Sequence, residues 1–563
     1  MFYIVALKSN TYMSDSLGSD EDHVDRRKVL VLGLDGATFK LLEPMAKEGR
    51  IPTLARLMDG GARGVLESTL PPVTIPAWIS MMTGKNPGRL GLYDLLKRVE
   101  YGVEPNESCF KESNPVWRTL NQYGLKTGIL NLPGTYPPDE VDGFMVTGMM
   151  TPSTSSPYAH PTELRSELNS VHEYEIDVPP WNVTDVDQLV KDIYRVTQKR
   201  GDAAEYLIGE FPCDFYMIVF TASDRMHHYM WHKEDLVEEY WEELDGVLAK
   251  LLDLFGEETT VFVVSDHGFG ELERTFYVNE WLRTKGFLRV RRQMTKRVLV
   301  RLDRAVEGLY RFLGERKLIS VIGNFLYKFL GFGRLQKAIY GYLSNVHLES
   351  RVNWRHTKAF SCVHTSHFGQ IYLNMEGKMR DGCVSEDERE ELTESIIKEL
   401  ENLPASWTGA TPKIEIHRGE DLYNGAHLDE APNIVFIMDE GRCEIDAKVG
   451  EGRLFAKGAP LSGWTGTHTR DGVFIAHGPL IKEGLLVEKA SIVDVAPTIL
   501  QMFGIAPGDD MDGRILDEIF REGVVFPKRE ILGLSDEKDE LEGLDDEEKA
   551  LIEARLRRLG YIS

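Results

Sequence analysis

Three apolar runs in this chain each lead into an aspartate. "RKVLVLGLDGATF" (27–39) reaches Asp35, "FYMIVFTASD" (215–224) reaches Asp224, and "TTVFVVSDHGFG" (259–270) reaches Asp266. Runs this rich in β-branched residues, with no polar alternation, read as strands buried on both faces, as in a parallel sheet. "GLKTGILNLPGTYPP" (124–138) repeats the pattern, and "GVFIAHGPLI" (472–481) has strand character too. Helical stretches lie between them, at 186–211 and 235–256 among others. Strand and helix in alternation predict an α/β fold with a largely parallel sheet. Ligands of such sheets sit beyond the carboxyl ends of the strands, where these aspartates fall. A single aspartate there is usually a turn residue; three, two of them with histidine close by, call for another reason.

The chain has 563 residues, so two or more domains, or one large domain with insertions, is the expectation. Residues 1–27 read as a loose polar leader, and "SIVDVAPTILQMFG" (491–504) as a helix stopped by Gly504. The five cysteines, Cys109, Cys213, Cys362, Cys383 and Cys443, have no CxxC spacing, which fits a reducing cytosol and disfavours a disulfide framework. No run is long enough to cross a bilayer, and a cytoplasmic protein is expected. The formal net charge of −25 gives no nucleic-acid-binding surface. Residues 289–345 form a basic amphipathic island in this acidic chain. An inserted helical subdomain with a solvated basic face is the favoured reading, and weak contact with a membrane surface or a lid over an anionic substrate the alternative.

In "DRMHH", Asp224 and His228 are four residues apart, and on a helix they share one face. "SDHG" adds Asp266 and His267, and "GTHTRDG" adds His468 in a glycine-flanked loop. Carboxylate oxygens with neutral imidazoles suit zinc or manganese. With Asp35 and Thr74 the donors suffice for two ions, the clamp used for in-line displacement at phosphorus with ions about 3.5–4 Å apart. Thr74 stands in "PPVTIPAW" at the start of an apolar helical run. It reads either as a helix cap or as a nucleophile aimed by the helix N-terminus and activated by a cation.

Other residues read as ordinary structure. His227 faces away from Asp224 on a helix and is not expected to be a ligand, and Trp231 is expected in the core. His364 and His367 alternate on a predicted strand, where they line a pocket or, more commonly, are satisfied structural histidines. Lys85 and Arg89 follow the threonine helix and are weak candidates for an anion, with a solvated face the commoner case. "GLDG" (33–36) lacks the third glycine of a dinucleotide loop.

The pieces "VLGLDGAT", "PPVTIPAWISMMTGKNPGRLGLYD", "TASDRMHHYMW", "VVSDHGFG", "NEWLRTKGFL", "GTHTRDGVFIAHG" and "DVAPTILQMFG" occur in one order across 28–288 and 463–516. In that order they resemble the alkaline phosphatase superfamily, and within it the type I phosphodiesterase/nucleotide pyrophosphatase family. The resemblance implies a doubly wound sheet with helices on both faces and two divalent ions, commonly zinc. It implies that Asp35, Thr74, Asp266 and His267 hold the ion on the nucleophile side, and Asp224, His228 and His468 the other. Thr74 would attack, pass through a phosphothreonine, and be freed by water. A small phosphorylated substrate is expected, with a diester or pyrophosphate ahead of a monoester, and a head-group phosphotransferase at a membrane surface as the alternative. A core of 28–288 and 463–522 is expected, with an inserted subdomain at 289–462 (basic helical to 345, mixed from 346) and a charged helical tail at 523–563. The sequence departs from nucleotide pyrophosphatases at Leu95, where they carry a phosphate-binding asparagine, and at Leu90, where a histidine is common. The Thr-x-Pro segment has threonine first and no arginine of the sulfatase kind, which disfavours a sulfatase.

Overall fold

The computed structural model describes residues 27–558, apart from 107–109, 111–112, 180–185, 292–350, 363–366, 404–410, 461 and 530–543. Most of the basic island, and His364, lie outside the described residues.

The main strands are β1 (Val29–Leu34), β2 (Ala62–Glu67), β3 (Thr127–Leu132), β4 (Gly143–Thr147), β5 (Phe215–Phe220), β6 (Thr260–Val264), β7 (Gly268–Glu271), β8 (Gly466–Thr469) and β9 (Asp471–His477). All but β7 and β8 join one ten-stranded sheet, in the order β2-β9-β6-β1-β5-β3-β4, with short strands at its margins. β1 pairs in parallel with β5 and β6, and β3 with β5 and β4. β9 runs antiparallel between β2 and β6. Every residue of β1, β3, β5 and β6 is buried, so both faces of the sheet are covered.

The cover comes from helices that include α1 (Thr74–Thr83), α2 (Val186–Glu210), α3 (Ala222–Met230), α4 (Glu234–Leu252) and α5 (Val495–Met502). The last three turns of chain form α6 (Asp546–Arg558). α2, α3 and α4 pack on one another, and α5 packs on α1. Among the described residues no helix is long and apolar enough to cross a membrane.

A second hydrophobic core gathers Phe276, Trp281, Leu288, Trp354, Phe360 and Phe436. It starts ahead of the boundary expected at 289, because the strand Arg274–Tyr277 pairs with Cys443–Asp446 and Phe455–Lys457 and so joins its partners' core. Tyr101, from the hairpin Leu96–Pro105, stacks on Trp354 at 3.8 Å between ring centroids.

One contact ties the main core to the ends of its strands. Gly33 in β1 leaves room for the Trp78 ring from α1, whose indole N–H donates to Asp35 Oδ2 at 3.2 Å. A Cβ at Gly33 would stand 2.7 Å from the Trp78 ring and 3.0 Å from Val219. Gly33→Ala is expected to destabilise the protein by about 1–3 kcal/mol through overpacking, measured by chemical denaturation.

Candidate metal centre

Five separate segments deliver the polar side chains. β1 ends at Leu34, and Asp35 follows, its N–H donating to Phe220 O at 3.1 Å. β6 ends at Val264, with Asp266 and His267 just beyond. α3 begins straight after β5 and carries Asp224 and His228 one turn apart. β8 pairs with β7 and sets His468 opposite Phe269. Thr74 is the first residue of α1, with Val73 at the N-cap position and no side chain capping the helix.

On one side, His267 Nε2 lies 3.5 Å from Asp35 Oδ1, 3.2 Å from Asp266 Oδ2 and 3.5 Å from Thr74 Oγ1. On the other, Asp224 Oδ1 lies 3.3 Å from His228 Nε2 and 3.2 Å from His468 Nε2. The His267 and His468 rings stack at 3.5 Å and join the two halves. All of these residues are buried.

Hydrogen bonds outside the cluster set the imidazole tautomers. Nδ1 of His267 meets Gly268 O at 3.1 Å, Nδ1 of His228 meets Gly466 O at 3.2 Å, and Nδ1 of His468 meets Pro72 O at 2.9 Å. A carbonyl only accepts, so each Nδ1 carries the proton and each Nε2 presents a lone pair to the centre. The Nε2 atoms of His228 and His468 lie 3.0 Å apart. Asp35 Oδ1 and Asp266 Oδ2 are buried without a hydrogen-bond partner. Acceptors converging on buried space fit bound cations.

The protonation equilibria point the same way. Burial pushes the Asp35 carboxyl well above its ordinary range, and the neighbouring Asp266 pushes it further. Asp266 is raised by burial and by Asp224. Burial holds His267 and His228 below the usual imidazole range, the neutral state a ligand needs. Burial opposes ionisation of Asp224, and the adjoining Arg225 guanidinium favours it.

Three donor groups could each hold an ion: Asp35, Asp266 and His267; Asp224, His267 and His468; and His228, His367 and His468. His367 belongs to none of the motifs above. The sequence offers little to single it out, since its contacts lie 100 residues or more away: Thr467 Oγ1 is 2.6 Å from its Nδ1. A second arrangement also escapes the sequence. Arg225 binds Asp224 Oδ2 and, at 3.0 Å, Asp177 Oδ2. Arg555 of α6 reaches the same Asp177 oxygen at 3.3 Å.

The remaining candidates are placed elsewhere. Lys85 pairs with Asp510, and Arg89 Nε with Asp512 Oδ1 at 2.9 Å, so their charges are committed to the 509–512 loop. His227 accepts the Trp241 indole N–H at 2.8 Å, and burial takes its pKa down to about 3. Trp231 packs on His227 and Phe269. Leu95 is buried in the main core.

With this α/β sheet and candidate cation cluster, the chain is a hydrolase of phosphoester bonds from a divalent-metal-dependent family. The chain belongs to the type I phosphodiesterase/nucleotide pyrophosphatase family, whose model matches residues 29–448. Among solved structures, murine ectonucleotide pyrophosphatase/phosphodiesterase 5 is similar over 88% of this chain and 100% of its own, at 13% identity and a TM-score of 0.47. Phosphonoacetate hydrolase from Sinorhizobium meliloti, solved with phosphonoformate, aligns with 84% of this chain and 94% of its own, at 14% identity and a TM-score of 0.51, and shares the fold. A comparison with curated proteins finds no match.

The Asp35–Asp266 pair sets a pH test for the metal-free protein. A carboxyl raised in the folded state contributes stability that is present below its unfolded pKa and lost as pH rises through the folded value. In chelator, the stability of wild type relative to Asp35→Asn is therefore expected to fall from about pH 4 towards neutrality. Urea denaturation across that range measures it, and a difference that stays flat contradicts the raised value.

Proposed function

We propose that the protein is a phosphodiesterase or nucleotide pyrophosphatase that uses Thr74 as nucleophile and works with two divalent ions, zinc at one or both positions. The observation that carries this reading is the convergence of unpartnered carboxylate oxygens and imidazole lone pairs within reach of Thr74 Oγ1. Asp35, Asp266, His267 and Thr74 would hold one ion, and Asp224, His228 and His468 the other. Bound there, the ions would supply Lewis-acid charge for the phosphoryl oxygens and lower the pKa of the threonine hydroxyl and of water.

The chain's own residues supply the rest. Thr74 sits at the first position of α1, so the N-terminal dipole and the uncapped N–H groups of Thr74 and Ile75 face incoming negative charge. These amides would bind a phosphoryl oxygen where relatives use an asparagine and this chain has the buried Leu95. Thr74 Oγ1 attacks phosphorus as its proton passes to water. The bond from phosphorus to the leaving oxygen breaks on the opposite side, and that oxygen takes a proton from solvent. Water then attacks the phosphothreonine, the Thr74 oxygen–phosphorus bond breaks, and the hydroxyl regains a proton. Pro72 and Pro76 stiffen the chain on either side of the nucleophile.

Thr74→Ala is expected to lower kcat by at least about 10³-fold while the protein still binds divalent ions through its carboxylates and imidazoles. Turnover of a nitrophenyl diester, its monoester, a dinucleotide and a nucleotide sugar, with metal analysis of the same samples, tests it. Near-normal turnover by the variant would refute the nucleophile. Faster turnover of the monoester than of every diester would refute the substrate class.

A further inference from the structure

We propose that His367 is a further ligand of the ion at Asp224, His228 and His468, making that position a three-imidazole centre distinct in metal preference from its oxygen-rich neighbour. The inference rests on the two-ion reading above.

His367 lies just ahead of the strand Gly369–Leu373 and is buried. Its ring lies 4.0 Å from that of His468 and 5.5 Å from that of His228, between centroids. One ring nitrogen from each of the three histidines falls within 4.8 Å of the others. Trp464 stacks on both His228 and His367, at 3.9 and 5.5 Å, and fixes their planes.

The tautomer follows from the partners. Thr467 Oγ1 lies 3.1 Å from Gly441 O, which can only accept, so the threonine proton goes there. The hydroxyl oxygen then accepts Nδ1–H of His367 at 2.6 Å. Nε2 of His367 is left as a lone pair, the arrangement found at His228, His267 and His468. A histidine kept only for packing has no need of that match.

The two positions would then differ in chemistry. Asp35, Asp266 and Thr74 offer oxygens with a single imidazole from His267. The other position would have three imidazoles and Asp224. Carboxylate-rich sites accept manganese readily, whereas imidazole-rich sites favour zinc and its late neighbours. Four protein donors leave a leaving oxygen or water to take a fifth position, which zinc adopts during reactions.

Crystals of the zinc-loaded wild type, measured on either side of the zinc edge, test this directly. His367 Nε2 is expected about 2.0–2.1 Å from the ion held by Asp224, His228 and His468. A distance beyond about 3 Å with those three residues still ligating would overturn this inference alone. No zinc among any of these residues would overturn the two-ion reading with it. In solution, cobalt titration of His367→Ala, followed by visible absorption and by competition with a chelating dye, should show one ion bound tenfold or more weakly with its absorption bands altered. The other ion should be unaffected. Unchanged bands and affinity would overturn the proposal, and if the variant does not fold the crystal measurement decides.

Discussion

Buried acceptors with no donors to answer them are the constraint on which this structure turns. Asp35 Oδ1 and Asp266 Oδ2 have no hydrogen-bond partner. Burying an unpaired carboxylate is costly, and in the metal-free protein burial raises the pKa of both aspartates. A divalent cation removes the cost by supplying the opposite charge. The site is therefore stable in proportion to what it binds, and cation binding and folding are linked.

The surroundings aim these groups. Backbone carbonyls of Gly268, Gly466 and Pro72 fix three imidazoles from outside. Trp78 fixes Asp35 across the gap left by Gly33. Arg225 occupies the second oxygen of Asp224, and Asp177 shares its charge between Arg225 and Arg555. The C-terminal helix thus reaches Asp224 through three ion pairs in series, with Asp177, Arg225 and Asp224 buried and Arg555 half-buried. Removing one member of such a chain leaves the others uncompensated, a loss typically larger than the net worth of the intact pairs.

Much of this was legible in the sequence because the relevant signals are local. β-branched apolar runs ending in aspartate define β1, β5 and β6 and the end of the sheet where ligands bind. Helical spacing puts Asp224 and His228 on one face. The ordered motifs add Thr74 and His468, whose place no periodicity reveals. What stayed hidden depends on contacts between distant segments. Lys85 and Arg89 read as free cations until Asp510 and Asp512, over 400 residues later, neutralise them. His367 read as one of two ordinary strand histidines, since its partner Thr467 is 100 residues away. The second core begins before 289 because the strand Arg274–Tyr277 pairs with strands from after 440, a choice made by register and not by composition.

The approach to the centre explains why the cations matter beyond the chemical step. His367 and His468 line a cleft of about 240 Å³ whose rim carries Glu67, Glu415, Glu440 and Asp471. Among the described residues its lining includes Lys40 and Arg470, and Arg470 is ion-paired with both Glu67 and Glu415 and lends little net charge. An anionic substrate entering there meets a surface of its own sign on a protein of formal net charge −25. Cations bound at the floor of the cleft, beside Lys40 in its lining, would supply attraction that water screens poorly at short range. Loss of the ions would then weaken capture of the phosphate as well as its cleavage.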